Sequence, residues 1–112
     1  MSIKPIQNES DLESALDRSQ DKPVVLFKHS SACSLSASAQ QEIKELADRT
    51  EAPIFRVVVQ EARPVSNTIE RTLNVRHETP QVIILRDGKA VFDASHRNVS
   101  VQTLTPQLSE AA

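Results

Sequence analysis

The chain has 112 residues, enough to bury one core but too few for two, so one domain spanning 1–112 and one functional site are expected. Thirteen Lys and Arg against fifteen Asp and Glu give a formal net charge of −2, and the only aromatic residues are three Phe. With no dense basic run, nucleic acid is excluded as a natural partner.

The longest aliphatic run is Val82-Ile83-Ile84-Leu85, and Met1-Ser2-Ile3-Lys4-Pro5-Ile6 carries no apolar stretch of signal-peptide length. Neither a membrane span nor a leader is therefore expected. Cys33 is the single cysteine. It builds no disulfide framework, which agrees with a soluble protein of the reducing cytoplasm.

In chain order, Ile3 to Ile6 reads as a short edge strand. Ser10 and Glu13 form a capping box, and Leu12, Ala15 and Leu16 recur at helical spacing, which predicts a helix from about Asp11 to Arg18. Asp21-Lys22-Pro23 breaks it. Val24 to Lys28 is continuously apolar until its last residue, as suits a strand covered on both faces. From Ser34 to about Arg49, Leu35, Ala39, Ile43, Leu46 and Ala47 mark the buried stripe of a second helix.

Ile54 to Val59 predicts another buried strand. Pro64 suits the first turn of a helix carrying Val65, Ile69 and Leu73. Val82 to Arg86 and Ala90 to Asp93 then form a hairpin through Asp87-Gly88, a dipeptide that accepts positive φ. A closing helix from about Ser100 presents Val101, Leu104 and Leu108, with Pro106 expected to interrupt or shorten it. The order βαβαβαββα describes an α/β fold with a central mixed sheet flanked by helices.

Cys33 stands where the Val24 strand hands over to the second helix. By residue type alone, a lone cysteine is as well explained as a small buried filler. Position argues otherwise: Ser30, Ser31, Ala32 and Ser34 are small and leave room for a second molecule. At a helix N-terminus, unpaired amides and the helix dipole also favour negative charge, by roughly 0.3–1 kcal/mol. Lys28 and His29 at the strand end are candidates for added positive potential.

Ser36 completes a Cys-x-x-Ser pair and, three positions into the helix, is expected to face the same exposed end. Thr79-Pro80 precedes a strand, which suggests a special turn. By frequency alone its peptide bond is trans, since only about 5–6% of X–Pro bonds are cis. His29, Cys33, His77 and His96 have no metal-ligand spacing, so no metal is expected. Arg63, Arg76 and Arg97 are candidates to steady an anion, although isolated arginines usually sit in solvent.

Taken together, His29-Ser30-Ser31-Ala32-Cys33-Ser34-Leu35-Ser36, Arg63-Pro64-Val65-Ser66-Asn67, Val75-Arg76-His77-Glu78-Thr79-Pro80-Gln81-Val82, Asp87-Gly88-Lys89 and Ala94-Ser95-His96 resemble the monothiol bacilliredoxins, or YtxJ-like proteins. The resemblance spans nearly the whole chain. It implies a thioredoxin-like fold in which Cys33 is the reactive cysteine and Pro80, after Thr79, is the cis-proline. Ser36 stands where dithiol relatives carry a resolving cysteine. The family usually has Cys-Pro-x-Ser, and Ser34 replaces that proline.

The implied activity is thiol–disulfide exchange on S-thiolated client proteins. Bacillithiol would be the low-molecular-weight thiol co-substrate, no cofactor would be bound, and a flavin disulfide reductase is a possible partner. Lys28, Arg63 and Arg76 are then candidate contacts for the carboxylates of bacillithiol's malate end. Two other expectations compete: a redox-responsive adapter without turnover, and an iron–sulfur carrier like the monothiol glutaredoxins, whose usual Gly-Phe segment this chain lacks.

Overall fold

The computed structural model describes residues 3–112. In chain order it comprises β1 (Ile3–Pro5), α1 (Glu9–Arg18), β2 (Val24–His29), α2 (Ser34–Ala47), β3 (Ile54–Val58), α3 (Arg63–Leu73), β4 (Gln81–Arg86), β5 (Lys89–Ser95), a short 3-10 turn (His96–Asn98) and α4 (Val101–Ala111). The five strands form one mixed sheet in the order β1-β3-β2-β4-β5. β1, β3 and β2 run parallel, whereas β4 is antiparallel to both β2 and β5.

Alternation along β2 divides the core. Val24 and Leu26 join Leu12, Ala15, Ile69 and Leu73 beneath α1 and α3. Val25 and Phe27 join Ala39, Ile43, Leu46, Leu104 and Leu108 beneath α2 and α4. Both faces of the strand are therefore covered, which explains why its sequence shows no apolar–polar alternation. The Asp87-Gly88 hairpin has φ of 57° and 74° at its two residues, the left-handed pair that a tight two-residue turn needs.

Two helix ends differ from expectation. α1 starts at Glu9 and is capped by Asn8, whose Oδ1 accepts the Asp11 amide at 2.9 Å. Ser10 lies inside the helix, and the capping box does not form. Asn8 has the shorter route to the orphan amides because the chain leaves β1 in an extended conformation at that residue.

α4 runs unbroken from Val101 to Ala111 with Pro106 inside it. Pro106 is exposed on the solvent side while Val101, Leu104 and Leu108 are buried. The carbonyl that proline leaves without an intrahelical donor belongs to exposed Gln102 and is open to water. Thr105 Oγ1 also donates to the Val101 carbonyl at 2.8 Å, and the buried stripe holds the helix together.

Replacing Asn8 by Ala is expected to cost about 1 kcal/mol in urea unfolding, the usual worth of an N-cap, while Ser10→Ala stays within about 0.5 kcal/mol. Equal losses would contradict this cap.

Candidate active site

β2 ends at His29, whose carbonyl accepts the Val59 amide at 2.9 Å, and the chain then leaves the sheet. Ser30 to Ala32 turn it, and Cys33 is the extended N-cap of α2 (φ −122°, ψ 123°). The Cys33 carbonyl accepts the amides of Ser36 and Ala37, both at 3.1 Å. Its thiol is partly exposed and makes no capping hydrogen bond. The amides of Ser34 and Leu35 have no acceptor among the described residues, so the helix end beside the sulfur retains free donors.

Ser36 does not face that open end. It is wholly buried, and its Oγ lies 2.9 Å from the Ser30 amide and 2.9 Å from His29 Nδ1. The hydroxyl thus ties the start of α2 back onto the strand exit. Gln60 holds the same turn from outside. Its Oε1 accepts the Ser31 amide at 3.2 Å, and its Nε2 donates to Ser30 Oγ at 2.8 Å. Gln60 had no signal in the sequence, because it reaches the turn only through the parallel pairing of β2 with β3.

His29 packs against Phe27, with ring centroids 5.6 Å apart. Burial, then the nearby Arg56 guanidinium, lower its pKa below the usual value, and a hydrogen bond to Ser36 opposes them. His29 is therefore a neutral packing and hydrogen-bonding group at pH 7. It does not add the positive potential expected of it.

The antiparallel register sets Gln81 opposite Lys28. Pro80, one residue earlier, thus lies alongside the strand end that leads into the cysteine turn. The Thr79-Pro80 peptide is cis, as the resemblance implied and residue frequency did not. Pro80 is buried and Thr79 half-buried, and the Pro80 carbonyl accepts the His96 amide at 2.8 Å. Cys33, Ser36, His29, Thr79 and Pro80 accordingly gather where the end of β2 meets the start of β4, at one end of the sheet's interior strands. Beside Leu35 a groove of about 380 Å³, lined also by Ser38, Glu42, His96 and Arg97, leaves room for another molecule.

The three basic residues expected to contact a ligand are dispersed. Lys28 is fully buried on the α3 side of β2, with Nζ 2.6 Å from His77 Nδ1, and is not offered to a ligand. Burial lowers its pKa to about 8 despite the opposing pull of Glu70 and Glu78. Arg63 is exposed at the first position of α3. Arg76 is exposed too, with Nε 3.8 Å from Glu78. Among the described residues no group of three or more His, Cys, Asp or Glu side chains is placed to hold a metal ion.

This geometry has close counterparts. The family model of the monothiol bacilliredoxin BrxC matches residues 4–104. The chain belongs to the monothiol bacilliredoxin family. A structure described as a candidate oxidoreductase with a thioredoxin fold is 25% identical, with a TM-score of 0.86 over 93% of this chain and 91% of that one. Reduced thioredoxin from Schistosoma mansoni is 20% identical, with a TM-score of 0.79 over all of both chains. Thioredoxin from Fasciola hepatica is 15% identical, with a TM-score of 0.82 over 98% of this chain and 100% of that one. As a bacilliredoxin with this fold, the chain is a monothiol redox protein of the thioredoxin-like oxidoreductases. No helix among its described residues is long and apolar enough to cross a membrane.

Ser36→Ala strands the Ser30 amide and removes a partner of His29. It is expected to lose about 1–3 kcal/mol of unfolding free energy, with faster amide exchange at Ser30. Unchanged exchange would show that the latch is unimportant.

Lys28 has a further signature. Between about pH 8, its folded pKa, and 10.5, its ordinary value, the unfolded chain holds a proton that the folded chain has released. Stability should therefore rise with pH across that window. The rise, measured against Lys28→Met, should reach up to about 3 kcal/mol, and identical pH curves for the two proteins would refute it.

Proposed function

We propose that this bacilliredoxin removes bacillithiol, or a related low-molecular-weight thiol, from S-thiolated client proteins. The observation that carries the reading is a partly exposed thiol at the N-cap of α2 whose Cys-x-x-Ser partner is turned inward and fully bonded. The Cys33 thiolate attacks the bacillithiol sulfur of the mixed disulfide. The client sulfur leaves as a thiolate and takes up a proton, and Cys33 is left disulfide-bonded to bacillithiol.

Ser36 has no sulfur with which to continue. A second bacillithiol thiolate therefore attacks the Cys33-bound bacillithiol, which frees Cys33 and leaves bacillithiol disulfide. That disulfide is the natural substrate of a flavin disulfide reductase, which supplies the two electrons. A reducing cytoplasm is the compartment this cycle suits.

With excess bacillithiolated client, bacillithiol and reductase, each protein molecule should release many client thiols. Intact mass should show one bacillithiol adduct, absent in Cys33→Ser. Transfer that stops after one equivalent would instead indicate a redox-responsive adapter.

A further inference from the structure

From Val75 to Thr79 the chain is neither helix nor strand, and its backbone makes no hydrogen bond to other backbone among the described residues. Side chains hold it instead. Gln81 Nε2 donates to the Arg76 carbonyl at 2.9 Å, and the His77 amide donates to Glu70 Oε2 at 2.7 Å. A further tie comes from Lys28, whose Nζ is 2.6 Å from His77 Nδ1. An ammonium group has donors only, so Lys28 donates and the ring nitrogen accepts. Glu78 adds ion pairs to exposed Arg76 at 3.8 Å and exposed His96 at 3.4 Å, a kind of contact that contributes little.

Lys28 differs from Glu70 and Gln81 in origin and burial. Glu70 belongs to α3, which precedes the loop, and Gln81 to β4, which follows it, so each ties the loop to its own flank. Lys28 belongs to β2, is wholly buried, and stands five residues before Cys33. Its bond to His77 thus joins the strand that leads to the cysteine with the loop that leads to the cis-proline. A buried charged donor makes a strong hydrogen bond and is costly to leave without an acceptor, so the His77 ring is held in place. At the end of the loop, neither the amide nor the carbonyl of Thr79 has a backbone partner among the described residues. The ties upstream therefore help to decide where Thr79 lies.

We propose that Lys28 is a positioning residue for exchange at Cys33, acting through His77 to hold the Thr79-Pro80 loop at the spacing from the cysteine turn that an incoming mixed disulfide spans. The proposal rests on the function given above and deepens it. Lys28 faces α3, on the opposite side of β2 from His29 and the start of α2. Loss of the tie should therefore slow capture of a disulfide, which must be oriented, and spare attack on a small reagent, which need not be.

The test measures single-turnover release of client thiol from a bacillithiolated client at pH 7, beside alkylation of Cys33 by iodoacetamide. It uses the wild type, Lys28→Met, His77→Ala, the double variant and His77→Asn, whose Oδ1 can accept from Lys28 in place of Nδ1. His77 is exposed, so its variants keep the test independent of how well Lys28→Met folds. Release should slow about tenfold in Lys28→Met and in His77→Ala, the scale of one lost hydrogen bond to a charged group. The double variant should be no slower than either single one, because all three lack the same tie. His77→Asn should recover most of the loss, and alkylation should stay within about twofold throughout. Amide exchange at Thr79 should be faster in Lys28→Met.

Unchanged release in the single variants, equal slowing of release and alkylation, or a multiplied loss of about a hundredfold in the double variant would overturn the proposal. Single-turnover release that depends on Lys28 in this way, without repeated turnover when bacillithiol and reductase are added, would support the tie while overturning the proposed function.

Discussion

β2 is hydrogen-bonded along both edges, to β3 in parallel and to β4 in antiparallel register, while its side chains fill a core layer on each face. Because side chains alternate, a slip of one residue would exchange the Val24–Leu26–Lys28 series with the Val25–Phe27–His29 series. Both core layers and both polar networks would be lost together. The locked register sends Lys28 toward α3 and the loop before Pro80, and His29 toward α2. It also places the turn that carries Cys33 beside the cis-proline. The placement of the cysteine turn is thus a consequence of strand pairing deep in the molecule.

The turn itself is short of backbone partners, since it leaves the sheet before α2 begins. Ser36 and Gln60 fill that deficit, one from inside and one from outside. Serine at position 36 is therefore more than a missing thiol. Its hydroxyl accepts an amide proton well, whereas a thiol would do so weakly. The single cysteine and its firmly held turn go with the same serine, whose hydroxyl is occupied with structure.

Element types were legible wherever burial is periodic. The stripes of α2 and α3, the doubly covered strands and the Asp87-Gly88 hairpin follow from spacing and turn chemistry. The errors lie where several local solutions compete. Asn8 and Ser10 are both good caps, and the direction of the chain leaving β1 decides between them. Pro106 disfavours a helix locally, but its exposed position and the buried stripe of Val101, Leu104 and Leu108 override that preference. Ser36 at N3 reads as an exposed first-turn residue, and only the adjacent strand exit shows why it turns inward.

The amino-acid sequence by itself determined the α/β order of elements, the solitary cysteine at a strand-to-helix junction and, through the joint pattern of its motifs, the monothiol bacilliredoxin family. These depend on periodicity, residue type and order along the chain. The tertiary structure alone decided the roles of the residues around Cys33. Lys28 and His29 are neighbours in sequence and both basic in type, yet the pleat of β2 buries one beneath His77 and packs the other, tilted, against Phe27. Gln60 and His77 acquire their tasks from strands paired across the sheet, because hydrogen bonds act through distances of about 3 Å that sequence separation does not encode.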